Sequence, residues 1–310
     1  MTTADPPSHC NTIRVVGVRP GAASVTAAFV LVLAAACAAP AVDPAETATG
    51  RTTRISDPPP SEAGAAATLA TSPRHGEWVE VELAGSDWPI ATWIVRPEDP
   101  TEAPVVLVIH EIFGLTDWVR AVADRLADNG FIAVVPDLLS GLGPDGGGTV
   151  SVSSRDQVVR LIRSLEPADA IARLDAVYHY AVTLPATTGT IAALGFCWGG
   201  STSFAYAVAQ PHLQAAVVYY GSSPVETADY HLVGAPVLGL YGGDDDRVNA
   251  TIPTAEQEMS RYGKQFETEI FAGAGHGFLR AQEGRDGANH VATSRAWRRT
   301  IEFLRRYTGG

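Results

Sequence analysis

The sequence predicts an α/β protein in which a mostly parallel, doubly wound sheet is flanked by helices. Two observations lead to this prediction. Short apolar runs alternate with segments of helical period along most of the chain. Glycines and chemically reactive residues follow the ends of several of these runs, which is where open α/β sheets assemble their binding sites.

The individual elements follow from periodicity. Residues 78–83 and 90–95 alternate polar and apolar side chains, which indicates an antiparallel hairpin at the sheet edge. Buried strands are expected at 105–109, 131–135, 191–196, 215–220, 237–241 and 266–271. Helices are expected at 117–129, 157–165, 168–182, 254–262 and 291–307, and another should open just after residue 197.

The most informative segment is Gly195-Phe196-Cys197-Trp198-Gly199. A nucleophile between two such glycines, at the junction of a buried strand and a helix, is typical of the nucleophile elbow of α/β-hydrolases. The helix N-terminus would favour the thiolate form of Cys197. The alternative is a buried structural cysteine, which is common for free cysteines.

An elbow nucleophile requires a carboxylate and then a histidine later in the chain. The strand at 237–241 is followed by Asp244, Asp245 and Asp246, and the strand at 266–271 is followed by His276 within a glycine-rich loop. These groups are therefore expected at the same sheet edge as the elbow, where the histidine could accept the thiol proton and an aspartate could orient it.

Several stretches together resemble the dienelactone hydrolase family of α/β-hydrolases, over roughly residues 78–307. The stretches that carry the resemblance are His110-Glu111-Ile112-Phe113-Gly114, Pro136-Asp137-Leu138, Gly195-Phe196-Cys197-Trp198-Gly199-Gly200, Gly242-Gly243-Asp244-Asp245 and Ala274-Gly275-His276-Gly277-Phe278. The resemblance implies a hydrolase that cleaves a small ester or lactone through an acyl-enzyme.

The resemblance also implies roles for single residues. Cys197 matches the family's nucleophile, Asp245 the acid and His276 the base. Glu111 matches a glutamate that holds the resting thiol and releases it when substrate binds. Arg280 and Arg155 match two arginines that the family places against a substrate carboxylate.

Glu111 follows the apolar run 105–109, so its carboxylate can tune the reactivity of Cys197 without any appeal to resemblance. Its alternative role is a charge that caps the following helix. The backbone N–H groups of Ile112 and Trp198 are expected to form the oxyanion hole. The Trp198 side chain is expected either to line the pocket or to pack in the core.

The amino-terminal region predicts export. Residues 1–36 have the basic and apolar regions of a secretory leader, and Cys37 resembles the lipidated cysteine of a bacterial lipoprotein. Cleavage nearby to give a soluble secreted protein is the alternative. Residues 37–72, rich in alanine, threonine and proline, are expected to be a disordered tether to a hydrolase domain at 73–310.

Composition limits the partners. The formal net charge of −12 argues against nucleic-acid binding, and membrane contact would come only from the lipid. No metal or other cofactor is implied, and we expect a monomer that acts on a small molecule. If Arg155 and Arg280 both point into the pocket, carboxylate-bearing lactones or esters should react better than their neutral analogues. Two other functions remain open, which are a non-catalytic ligand-binding lipoprotein on the same fold and a thiol redox sensor. A redox sensor would need a resolving cysteine to pair with Cys197, and Cys10 and Cys37 are assigned to the leader and its cleavage site.

The export prediction can be tested in a bacterial host with lipoprotein processing. The mature chain should begin at Cys37 and partition into detergent, and Cys37→Ala should lose the lipid by mass spectrometry. Cys10→Ala is the matched control and should be processed normally. An intact amino terminus in the cytosol would contradict the prediction.

Overall fold

The computed structural model describes residues 54–99, 101–224 and 227–309, which belong to one compact unit. The predicted leader at 1–36, the predicted lipidation site Cys37 and the first part of the predicted tether lie outside the described residues. Their assignment therefore stays a prediction.

The described residues form an eight-stranded sheet. Its strands are β1 (Gly76–Val81), β2 (Ile90–Val95), β3 (Ala103–Ile109), β4 (Ile132–Pro136), β5 (Thr187–Phe196), β6 (Ala215–Tyr219), β7 (Val237–Gly242) and β8 (Phe266–Phe271). Their order in the sheet is β1-β2-β4-β3-β5-β6-β7-β8. The pairs β1–β2 and β2–β4 are antiparallel, and every other neighbouring pair is parallel.

Helices connect the parallel strands and cover both faces of the sheet. They are α1 (Ala65–Thr71), α2 (Asp117–Asp128), α3 (Arg155–Ser164), α4 (Pro167–Val182), α5 (Trp198–Ala209), α6 (Asp246–Asn249), α7 (Ile252–Arg261) and α8 (Ala288–Thr308). The predicted fold class is confirmed, because the hairpin, the six apolar runs and the intervening helices all appear where periodicity placed them. Among the described helices, none combines the length and apolarity that crossing a membrane requires.

The core lies in two layers, one on each face of the sheet. Along β3, Val106 and Val108 belong to the layer under α2 and α8, while Val105, Leu107 and Ile109 belong to the layer under α4 and α5. Since side chains alternate along a strand, a strand buried on both faces reads as a continuous apolar run. This explains why the central strands were visible in the sequence without polar alternation.

The prediction of a disordered tether was wrong for residues 54–72. This segment is ordered, and α1 packs beside α2. The indole Nε1 of Trp118 donates to the carbonyl of Pro60 at 3.1 Å, and the amide of Gln282 donates to the carbonyl of Pro59 at 2.8 Å. Composition alone indicated a linker, but hydrogen bonds and packing from distant parts of the chain fix the segment to the domain.

Removal of residues 54–72 should therefore destabilise the domain. A chain that begins at residue 73 loses the two bonds above and the bond from the Glu62 N–H to the Arg280 carbonyl. At about 1 kcal/mol each, the loss should lower the melting temperature by about 6–12 °C relative to a control chain that begins at residue 54. Equal melting temperatures by calorimetry would show that the segment contributes no stability.

Candidate active site

The backbone of Cys197 makes a strained turn between β5 and α5. Its φ of 55° and ψ of −115° lie in a region that residues with a side chain rarely adopt. The Cys197 N–H donates to the carbonyl of Tyr219 at 3.0 Å. An ideal Cβ on Gly195 would lie 1.9 Å from the carbonyl oxygen of Gly199, and one on Gly199 would lie 2.3 Å from that of His110. Both flanking glycines are thus required sterically, as the elbow pattern predicts.

Cys197 opens into a cavity of about 450 Å³ at the carboxyl edge of the sheet. The predicted oxyanion residues Ile112 and Trp198 line the same cavity. The remaining lining residues are Arg163, Ser201, Tyr220, Ser222 and Arg247. The two roles considered for the Trp198 side chain, pocket wall and core packing, are combined. Trp198 lines the cavity, and its ring also stacks on the buried His110 ring at a centroid distance of 5.9 Å. The volume suits a small ligand.

Asp245 and His276 meet across the loops that follow β7 and β8. The Nδ1 atom of His276 lies 2.5 Å from Oδ2 of Asp245. An ionised carboxylate only accepts hydrogen bonds, so Nδ1 carries the proton and Nε2 is free to accept another. The neighbouring Asp244 instead pairs with Arg285 at the surface. Of the three consecutive aspartates, Asp245 is therefore the one that orients the histidine.

The loop after β3 is held from within the core by His110. The N–H of Leu138 donates to Nε2 of His110 at 3.1 Å, so this atom must lack a proton. Nδ1 then donates to the carbonyl of Glu111 at 2.9 Å. Burial lowers the pKa of His110, which keeps the ring neutral and suited to this pair of bonds. His110 thus fixes the backbone that presents Glu111 and Ile112.

Glu111 is buried beside Arg280. Its Oε1 atom lies 2.9 Å from Nε of Arg280, and its side chain is only 3% exposed. Burial raises the pKa of Glu111 to about 7, although the charge of Arg280 opposes the shift. The carboxyl group therefore loses its proton at a higher pH than an exposed glutamate does. The structure thus gives Glu111 a buried ion-pair partner and not the solvent-facing position expected of a simple helix-capping charge.

The resting thiol is electrostatically disfavoured as a thiolate. Burial, followed by the charge of Glu111, raises the pKa of Cys197, while the N–H of Trp198 and the charge of Arg247 lower it. The helix N-terminus does favour the thiolate, as expected, through the N–H of Trp198, but desolvation outweighs that effect and the pKa is raised. In the described part of the chain, Cys197 and His276 are not hydrogen-bonded to each other.

The two arginines predicted to bind substrate, Arg155 and Arg280, come together over the ring of Phe113. The guanidinium carbons lie 3.5 Å and 5.1 Å from its centroid, respectively. Both guanidinium groups pair with the carboxylate of Glu62, which comes from the segment that precedes α1. The arginines that line the cavity itself are Arg163 and Arg247, and sequence reasoning did not single out either of them.

Sequence reasoning also missed Tyr220. Its φ of 40° is unusual for a bulky side chain, and its ring lies 5.1 Å from the His276 ring. The buried hydroxyl group makes no hydrogen bond within the described residues. Tyr220 follows the carboxyl end of β6, so the rule that sites form at strand ends could have identified it. A strained tyrosine beside the histidine and the cavity belongs to the site.

The sheet, the crossover helices and the glycine-flanked elbow define an α/β-hydrolase. The family model of the dienelactone hydrolase family matches residues 90–308. The chain belongs to this family and is a hydrolase. It is 30% identical over 251 residues to a carboxymethylenebutenolidase of Rhodococcus opacus, a match that covers 76% of this chain and 93% of the relative.

Solved structures share the fold. A dienelactone hydrolase-like promiscuous phosphotriesterase from metagenomic libraries superposes with a TM-score of 0.64 at 23% identity, covering 76% of this chain and 98% of that protein. A dienelactone hydrolase from Anabaena variabilis gives a TM-score of 0.57 at 20% identity, covering 76% and 99%. At these sequence identities, the two superpositions establish a shared fold and nothing about the substrate.

The electrostatic link between Glu111 and Cys197 predicts a pH effect. Glu111→Gln removes a charge that raises the pKa of the thiol, so the pH midpoint for alkylation of Cys197 by iodoacetamide should move to lower pH. Each unit of pKa shift should raise the alkylation rate near pH 7 about tenfold. Asp244→Asn, which removes a carboxylate from the Arg285 surface pair, is the control and should leave the midpoint in place. An unchanged or higher midpoint in Glu111→Gln would show that the two groups are not coupled.

Proposed function

We propose that the protein hydrolyses a small ester or lactone, with Cys197 as the nucleophile of a Cys-His-Asp triad. The observation that carries this proposal is the position of Cys197, on a strained elbow that opens into a cavity of about 450 Å³. The paired Asp245 and His276 follow neighbouring strands of the same sheet. The name of the Rhodococcus opacus relative, a carboxymethylenebutenolidase, supports the same class of substrate.

The reaction begins with a neutral thiol. When substrate fills the cavity, Nε2 of His276 accepts the thiol proton, and the sulfur attacks the carbonyl carbon to form a C–S bond. The imidazolium that results is stabilised by Asp245, whose carboxylate already accepts from Nδ1. The carbonyl oxygen becomes an oxyanion, and the N–H groups of Ile112 and Trp198 donate to it.

The tetrahedral intermediate then collapses. The C–O bond to the leaving alkoxide breaks, and His276 gives its proton to the departing oxygen. For a lactone, that oxygen remains joined to the acyl group. Water, deprotonated by His276, attacks the thioester, and the thiolate departs and recovers its proton from the imidazolium.

Glu111 supports this cycle from behind the thiol. Its charge disfavours the thiolate in the resting enzyme, and its carboxylate is already paired with Arg280 before substrate enters. A thiol that ionises only in the presence of substrate is protected from other electrophiles. The raised thiol pKa also argues against a redox sensor, since such sensors depend on a stable thiolate.

We further propose that the enzyme works outside the cytoplasm, anchored by lipid at Cys37 or released as a soluble secreted form, and that it acts as a monomer on a small molecule. The leader-like composition of residues 1–36 supports export. The substrate carries its carbonyl into the cavity that Cys197 opens into.

The proposed mechanism predicts the effect of single substitutions on a panel of chromogenic esters and lactones. Cys197→Ala should lower kcat/KM by about 10⁴-fold or more, as should His276→Asn, because both remove parts of one catalytic unit. Cys197→Ser should retain part of the activity, since His276 can activate a hydroxyl group as well. His290→Asn, which changes an exposed histidine on α8, is the control and should leave the rate unchanged.

Full activity in Cys197→Ala would overturn the mechanism. Ligand binding by calorimetry, without turnover of any ester or lactone by the unmodified chain, would instead favour the non-catalytic binding protein.

A further inference from the structure

The carboxylate of Glu62 lies between Arg155 and Arg280. One oxygen, Oε1, is 3.2 Å from the Arg155 guanidinium, and the other, Oε2, is in direct contact with the Arg280 guanidinium. The two guanidinium groups are brought together over Phe113. A single carboxylate that shares its two oxygens between two arginines has the arrangement that proteins use to recognise a carboxylate ligand.

The backbone around Glu62 is fixed to the domain. We call residues 54–64 the strap. Its carbonyl groups at Pro59 and Pro60 accept from Gln282 and Trp118, and the N–H of Glu62 donates to the carbonyl of Arg280 at 2.9 Å. The strap therefore delivers the carboxylate to the arginine pair from a rigid position.

The charges around this point are already balanced. Arg280 contacts both Glu62 and the buried Glu111, and Arg155 contacts Glu62. Two arginines thus face two carboxylates. A third carboxylate, on an acyl group that reaches this pair, would meet arginines that already have carboxylate partners and would be repelled by Glu62.

From this geometry we propose that Glu62 is a specificity-determining residue, which occupies the arginine pair as an internal carboxylate and selects acyl groups that carry no carboxylate of their own. The inference rests on the proposed hydrolase function. It assigns the substrate class as neutral esters or lactones, in place of the carboxylate-bearing substrate that the matched arginines implied. The arginine pair lies over Phe113, which follows Ile112 of the cavity lining, and it is turned to the strap, whereas Arg163 and Arg247 line the cavity itself.

The Glu62 side chain is 41% exposed, so its ion pairs are partly screened and the carboxylate can be removed without leaving a buried charge. The test uses two esters of equal acyl length, p-nitrophenyl valerate and mono-p-nitrophenyl glutarate, which differ by a terminal carboxylate. The unmodified chain should prefer the valerate. In Glu62→Gln, the ratio of kcat/KM for glutarate to that for valerate should rise about tenfold.

Glu283→Gln is the matched control, because Glu283 lies in the same surface region and pairs with Ser61 of the strap but not with either arginine. It removes the same charge and should leave the ratio as in the unmodified chain. Glu62→Asp retains the charge on a shorter side chain and should give an intermediate ratio. A thermal melt of each variant establishes that the fold is retained.

A second measurement does not depend on turnover. Iodoacetate and iodoacetamide alkylate a thiol by the same chemistry, but only iodoacetate carries a negative charge. The rate with iodoacetate divided by the rate with iodoacetamide, both at Cys197, therefore reports the local charge. This ratio should rise in Glu62→Gln and stay constant in Glu283→Gln.

The outcomes are distinguishable. If no variant hydrolyses any ester but the alkylation ratio still rises in Glu62→Gln, the hydrolase function fails and the charge assignment of Glu62 stands. If esters are hydrolysed and both ratios in Glu62→Gln equal those of Glu283→Gln, the role of Glu62 is overturned while the hydrolase function stands. A preference of the unmodified chain for the glutarate ester would also overturn the role of Glu62.

Discussion

The turn at Cys197 joins β5 to α5 in a space that leaves no room for a side chain on either flank. The Cβ positions of Gly195 and Gly199 are occupied by backbone oxygens, and the following Gly200 approaches the carbonyl of Tyr219 in the same way. Because the strands on both sides are buried and paired, the turn cannot relax into a longer loop. The strain at Cys197 is thus maintained by the sheet, and it aims the thiol into the cavity.

The charges around the thiol form a chain that leads away from it. Glu111 acts on Cys197 through its charge, Arg280 pairs with Glu111, and Glu62 pairs with Arg280. Burial of Glu111 places its titration near neutral pH. A small change at the outer end of this chain, such as the entry of a substrate, can therefore alter the ionisation of the nucleophile without movement of the backbone.

The sequence predicted most of the fold because each central strand is buried on both faces and each helix carries one apolar face. It also placed Cys197, the aspartates 244–246 and His276 at one edge of the sheet, because each follows the end of a strand, and strand order then brings the strand ends together. The choice of Asp245 among the three aspartates came from the family resemblance, and the structure pairs this residue with His276. The ordered strap was not predictable, since its contacts with Trp118 and Gln282 are made by groups far away in the sequence. The raised pKa of Cys197 was missed for a similar reason. Burial is a property of the assembled site, whereas the helix N-terminus is visible locally.

Hydrolysis through an acyl group on Cys197 is tested most directly by trapping that group. The protein should be mixed with an ester that it turns over, quenched in acid within the first turnovers and analysed by peptide mass spectrometry. The peptide containing Cys197 should gain the mass of the acyl group, and Cys197→Ser should accumulate the more slowly hydrolysed ester. Turnover with no acylated peptide at any quench time, and with equal rates in Cys197→Ala, would contradict an acyl-enzyme on Cys197.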